Sequence, residues 1–148
     1  MVMSRVFKRP ESVLVVIHTG AGEVLLLRRV RPAGYWQSVT GSLEWHETAP
    51  LQAARRELHE ETGLDSAGIE AAGIVNRYPI LPPWRARYAP DVSDNIEHVF
   101  TLRLPQRSAV RLQAGEHDAA IWLPWAAAAE RVFSQTNRAA ILALVSAP

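Results

Sequence analysis

Hydrophobic residues along this chain follow two rhythms. From Ser12 to His18, Val, Leu and Ile run without a polar break, which predicts a strand buried on both faces. Thr19-Gly-Ala-Gly22 predicts a turn and Glu23 to Arg29 a second strand, so the two form a hairpin. Pro32-Ala-Gly34 interrupts the chain, and Trp36 to Thr40 reads as a short strand. After Pro50 the rhythm becomes helical, with Leu51, Ala54, Leu58 and Thr62 on one stripe. Pro50 suits a first helical turn, where its missing N–H costs nothing, and Gly63 suits the C-terminal stop. Ile69 to Tyr78, Ile96 to Leu104 and Ala120 to Leu123 read as further strands. Pro79 to Pro90 holds four prolines and reads as an irregular loop. Trp125 to Phe133 and Asn137 to Val145 read as closing helices. Strands mixed with one central and two terminal helices predict an α/β sandwich, with residues 1–148 as one domain and no internal repeat.

Composition narrows the chemistry by exclusion. The net charge of +1 gives no field to attract nucleic acid, and no basic stripe is visible. The absence of cysteine rules out disulfides, thiolate metal sites and cysteine nucleophiles. Of the 16 cations only Lys8 is lysine, and arginine is the better bidentate partner for phosphate. Met1 to Pro10 carries Arg5, Lys8 and Arg9 and no apolar run, unlike a secretory leader. Val13 to Ile17 is far too short to span a membrane. The expectation is a cytoplasmic protein with no membrane partner.

The chemistry concentrates on the central helix. Glu57, Glu60 and Glu61 stand at i, i+3 and i+4 and share a face, where each close pair costs about 0.2–0.5 kcal/mol. A divalent cation reverses that sign, and Mg²⁺ prefers hard oxygen ligands of this kind. Arg56, four residues before Glu60, orients or neutralises a carboxylate. By itself such a string is also what a solvated helix face looks like. Its surroundings add Gly41, Glu47, Gly63 and Leu64. Together Gly41, Glu47, Arg56, Glu57, Leu58, Glu60, Glu61, Gly63 and Leu64 resemble the Nudix box, filling all nine of its fixed positions. One departure stands out: eight residues separate Glu47 from Arg56 where the box has seven. The extra residue lies within Thr48 to Arg55, so it leaves the helix face intact and bears on where Glu47 sits.

The resemblance implies an α/β/α sandwich with a mixed central sheet and hydrolysis of a diphosphate linkage by water. Glu57 and Glu61 would be the principal ligands of Mg²⁺, or of Mn²⁺, with Glu60 in support and the Gly41 carbonyl adding an oxygen. A base is often supplied from outside the box, and Glu116 and Glu97 are the candidates; Glu116 is also a candidate metal ligand. Glu116 reads equally as a solvated loop carboxylate, and Glu97 more readily as a surface cross-strand charge.

Along nearly the whole chain, Phe7 to Pro10, Tyr35 to Ser42, Glu47 to Pro50, Arg87 to Pro90 and Asn137-Arg138 are similar to a bacterial branch of the family that acts on a pterin triphosphate. That similarity implies that Lys8, Arg29, Thr40, Tyr78, Pro79, Ile80, Leu81 and Ser134 face the substrate. Read without it, Lys8 is a terminal charge, Arg29 a strand-end charge and Ser134 a helix cap. Arg77, Arg85 and Arg87 suggest a phosphate funnel. Trp84 or Tyr88 suggests a stacking platform, or packing. Two other readings stand beside the pterin one: a hydrolase of nucleoside triphosphates, and a non-catalytic ligand sensor, which tends to lose box carboxylates that are all present here. No interface signature sets an oligomeric state.

Overall fold

The computed structural model describes residues 6–145, so Arg5 and the rest of the first five residues lie outside it. In chain order the elements are β1 (Glu11–Thr19), β2 (Glu23–Arg29), β3 (Trp36–Gln37), β4 (Val39–Ser42), α1 (Pro50–Thr62), β5 (Ile69–Pro79), α2 (Pro82–Arg85), β6 (Asp94–Leu104), β7 (His117–Pro124), α3 (Trp125–Arg131) and α4 (Gln135–Val145).

β1 is the axis of the sheet. It runs parallel to β6 from Glu11↔Ile96 to Thr19↔Leu104 and antiparallel to β4 from Ser12↔Ser42 to Val15↔Val39. β2 meets it at His18↔Val24 and carries β3 and β7 on its other flanks. β5 closes the far side against β6, with a bulge between Ala71 and Ile74. The sheet is therefore mixed, as expected. Alternation along the uninterrupted apolar run of β1 then fills two cores. Val13, Val15 and Ile17 pack with Leu25, Leu27, Ala53, Ala54 and Leu58 under α1. Leu14 and Val16 pack with Val24, Leu26, Val99, Ala128, Ala129, Ala140 and Ile141 under α3 and α4. A strand buried on both faces has no polar side to show, which is why its sequence does not alternate. The α/β/α sandwich follows.

α1 begins and ends where the sequence says. Pro50 occupies its first turn, and the Gln52 side chain accepts from the Thr48 and Ala49 amides at 2.7 and 3.0 Å. Ala49 has no oxygen to reciprocate, so only half of a capping box forms. Gly63 closes the helix at φ 72°, its N–H donating to the His59 carbonyl at 2.9 Å.

Three expectations change. Trp36 to Thr40 is two strands, because the Ser38 amide donates to the Asn137 side chain at 2.9 Å and the chain passes there from β2 to β1. The Pro79–Pro90 loop contains the short helix α2, whose first residues are prolines that suit a helix start. β7 begins at His117 rather than Ala120, since its pairing with β2 continues past a bulge to Arg29↔His117. Among the described residues no helix is long and apolar enough to cross a membrane.

Leu58 is fully buried where α1 meets the sheet. Leu58→Ala is expected to lower the unfolding free energy by about 2–5 kcal/mol, the usual cost of such a cavity. Urea denaturation measures it; a loss under about 1 kcal/mol would mean that this contact does not anchor α1.

Candidate active site

The expected exposed acidic face of α1 is split by the packing. Glu61 is only 3% exposed and turns inward, whereas the Glu60 side chain keeps 39% of its exposure and reaches toward Arg56. Glu57 lies between these extremes, with its carboxylate pressed against Gly41. A Cβ at Gly41 would overlap that carboxyl group, so only glycine lets β4 approach α1 so closely. Burial pushes the Glu61 carboxyl well above the usual carboxylate range, and the neighbouring Glu57 pushes it further, while the Thr40 amide pulls the other way. Glu61 Oε1 has no hydrogen-bond partner.

Arg56 gathers the remaining carboxylates. Its Nε and Nη2 donate to the two oxygens of Glu47 at 3.1 and 2.8 Å. Nη1 donates to Glu57 at 2.6 Å and Glu60 at 3.4 Å, and Nη2 also reaches the Ser42 carbonyl at 3.1 Å. The fork holds Glu47 below its ordinary pKa. Glu47 further accepts from the Glu44 amide at 2.7 Å. The extra residue before Arg56 thus leaves Glu47 engaged with α1.

Beside Gly41 opens a cavity of about 490 Å³. Lys8, Arg29, Thr40, Tyr78, Pro79, Ile80, Leu81 and Ser134 all line it. Lys8 is depressed in pKa by burial, then by Arg87 and Arg29. Arg29 is depressed by burial and by Arg87. These cations crowd one another, the mark of an anion site. Of the three arginines expected in a funnel, Arg87 alone joins this cluster. Arg77 pairs with Asp94 at 3.4 Å, and Arg85 donates to the Ala89 and Pro90 carbonyls, pinning its own loop. Ser134 also caps α4, accepting from the Asn137 amide at 3.3 Å, so a cap and a cavity wall coincide. Trp84 and Tyr88 both line the cavity, Trp84 stacked on Phe133 at 5.6 Å between centroids and Tyr88 largely buried at 9% exposure.

Glu116 is exposed on the loop before β7, close enough to act electrostatically on Lys8, Arg29, Glu61 and His117. Glu97 is not a surface charge: it is 3% exposed and lines the cavity. Sequence reasoning also missed a row of buried side chains between the basic and acidic clusters. Arg29 donates to Gln37 Oε1 at 3.3 Å, the Gln37 amide lies 3.3 Å from His117 Nε2, and that atom is 3.8 Å from Glu61 Oε1. Burial lowers His117 to about 4, so it is neutral near pH 7. Gln37 and His117 are 80 positions apart, and no local pattern pairs them.

The NUDIX domain profile matches residues 8–144. The chain belongs to the Nudix family. It is 42% identical over 142 residues to the dihydroneopterin triphosphate diphosphatase of Escherichia coli K12, covering 93% of each chain. It is 36% identical over 140 residues to the enzyme of the same name from Haemophilus influenzae, covering 91% of this chain and 87% of that one. The structure of the E. coli dihydroneopterin triphosphate pyrophosphohydrolase superposes with a TM-score of 0.88 at 40% identity, over 95% of this chain and 98% of that one.

Nudix hydrolases generally need a divalent metal, and the residues here fit one. Glu57 and Glu61 are hard oxygen donors that repel each other, and Glu61 Oε1 is buried without a partner. The four carboxylates read together from the sequence do not converge, however. Among the described residues no three acidic or histidine side chains meet as a ready-made metal cluster. Glu60 is drawn aside by Arg56, and Glu116 stays on the rim.

Two predictions follow from this geometry. Gly41→Ala must displace the Glu57 carboxylate, so turnover is expected to fall about 100-fold with the melting temperature little changed, because displacements of about 1 Å cost that much. Activity within threefold of the parent would show that Glu57 has no fixed role. Glu47, its pKa depressed in the fold, stabilises the protein above the ordinary glutamate pKa and loses that contribution as pH falls through the folded value. Glu47→Gln should therefore be less stable at pH 7 by about 1–3 kcal/mol and nearly equal at acid pH. Parallel stability curves from pH 7 to 3 would contradict the pairing.

Proposed function

We propose that this chain is a Mg²⁺-dependent pyrophosphohydrolase that converts 7,8-dihydroneopterin triphosphate to the monophosphate and pyrophosphate. The observation that carries the reading is the union of one cavity's basic lining with the carboxylate pair behind Gly41, in a chain so similar to enzymes of that name. Lys8 and Arg29 hold the triphosphate, with Arg87 adding positive charge beside them. Thr40 places its backbone N–H on Glu61 and its hydroxyl on the Val13 carbonyl at 2.9 Å, fixing β4 beside α1. Glu57 and Glu61 would hold Mg²⁺ together with the Gly41 carbonyl, with Glu60 in support from the rim. Bound there, such an ion would supply neutralisation of phosphate charge and a more nucleophilic water. Arg56 is a positioning residue, since it reaches the site only through Glu47, Glu57 and Glu60. Glu116 faces the cations and Glu61 from an exposed loop, where it receives a proton from the attacking water. Little covalent chemistry is asked of the protein, and alignment with charge neutralisation supplies the rate.

Pyrophosphate release with Mg²⁺ tests the reading, comparing dihydroneopterin triphosphate with the common nucleoside triphosphates. The pterin is expected to show the highest kcat/KM. Nucleotides turned over equally well would overturn the pterin assignment and leave the phosphoanhydride chemistry. Glu61→Gln should cut turnover by more than about 100-fold, beyond the usual effect of losing a supporting partner; a few-fold change would remove Glu61 from the site.

A further inference from the structure

We propose that Glu97 and Asn95 form a recognition subsite for the 2-amino-4-oxopyrimidine edge shared by pterins and guanine. The proposal rests on the pyrophosphohydrolase reading above and names what its cavity selects.

Asn95 and Glu97 are two apart on β6 and point to the same face of the sheet. Their cross-strand neighbours Ser12, Tyr78 and Asn76 share that face. Ser12, Tyr78, Asn95 and Glu97 all line the cavity. Asn95 and Glu97 are each 3% exposed. A carboxylate so deep normally has a cation beside it. The groups acting on Glu97 are instead neutral: Asn76 Nδ2 at 3.1 Å, the Tyr78 hydroxyl at a long 3.4 Å, and Thr136. Lys8 and Arg29 are absent from them, so the phosphate cluster does not neutralise it.

The wall also has more acceptors than donors. Asn95 Nδ2 is used twice, donating to Ser12 Oγ at 2.7 Å and to the Tyr78 hydroxyl at 3.0 Å. Asn95 Oδ1 is buried with no partner. The Tyr78 hydroxyl in turn donates its hydrogen bond to Glu97. An ionised carboxylate has about four acceptor sites, and an orphaned buried amide oxygen costs free energy until it meets a donor. This side of the cavity therefore calls for a ligand edge made of donors.

A ring amide N–H beside an exocyclic amino group is such an edge. It gives Glu97 two parallel N–H donors and leaves the second amino hydrogen for Asn95 Oδ1. Dihydropterins and guanine carry it. Hypoxanthine lacks the amino group, and adenine and cytosine set a ring acceptor where the carboxylate needs a donor. Trp84 and Phe133, nearly parallel at 12°, line the same cavity and offer the flat apolar surface a heterocycle packs on.

Guanosine and inosine triphosphates differ only by that amino group and serve as the probe pair. With Mg²⁺, the parent enzyme should turn over the guanosine compound with kcat/KM about 10- to 100-fold above the inosine compound, the usual worth of a bidentate base contact. Glu97→Gln should collapse that ratio to within about threefold, chiefly by lowering kcat/KM for the guanosine compound. Equal use of the two by the parent, or an unchanged ratio in the variant, would overturn the proposal. Binding of guanosine and inosine monophosphates to the parent, measured by calorimetry, needs neither turnover nor a variant. A protein that hydrolyses nothing yet binds the guanosine compound at least tenfold tighter would refute the hydrolase reading and keep the subsite. Equal binding would refute the subsite whatever the chemistry.

Discussion

One guanidinium holds this site together. Arg56 projects from α1 into a ring of acidic groups, with Glu44, Glu47, Glu57 and Glu60 all within 3.4 Å of its nitrogens. Left alone, those carboxylates would drive the β4–α1 connection away from the helix. The planar fork reverses this by giving parallel bonds from Nε and Nη2 to Glu47, while Nη1 serves Glu57 and Nη2 also serves the Ser42 carbonyl. A lysine ammonium supplies one point charge and no fork, so it would not tie loop and helix in the same register. The arrangement also explains why one additional residue before the helix is tolerated. Glu47 is located by the carboxylate–guanidinium pair, and the intervening chain needs only to reach.

The cavity arises where the rule that builds the core runs out. On the α3–α4 side of the sheet, Leu14, Val16 and Val99 are apolar and buried. One alternation further toward the strand ends, the same rows deliver Ser12, Glu97 and Asn95. Polar residues there face the cavity through the geometry that turns Leu14 and Val99 to the core. The first residues of α4 close over this row, and Asn137 ties them to Ser38 through bonds of 2.9 Å in both directions. That tie splits the short strand in two and lets β4 carry Thr40 and Gly41 toward α1.

Much of this was legible in the sequence, and the failures have identifiable causes. Pro50 and Gly63 bounded α1 because each has a backbone constraint independent of tertiary structure. The nine box positions located the acidic helix because their spacing is local. Reading Glu57, Glu60 and Glu61 as one exposed face overlooked a signal that was present. Glu61 stands three residues after Leu58 and seven after Ala54, on the stripe that packs against the sheet. Glu97 was misplaced because alternation implies a wet face only when a sheet has one, and this sheet is covered on both sides. Gln37 and His117 meet across the β2–β7 region through tertiary contact, which no periodicity in either segment encodes. The short helix in the proline-rich loop was hidden because prolines break helices everywhere except at their start.

The electrostatics of the two clusters make sense only together. Lys8 loses pKa to burial and to two neighbouring arginines, and the acidic groups that act on it, Glu57 and Glu116, count for less than these. Glu61 gains pKa from burial and from Glu57, and no cation stands among the larger influences on it. Each cluster is thus unfavourable alone, and their mutual attraction does not cancel either. A folded protein satisfies its buried charges unless function requires otherwise. Two unsatisfied clusters of opposite sign beside one cavity would both be relieved by a ligand that brings anionic phosphate to the basic side and a hard cation to the acidic side. Neutralising either cluster internally, for example by pairing Lys8 directly with Glu61, would stabilise the free protein and remove its reason to bind.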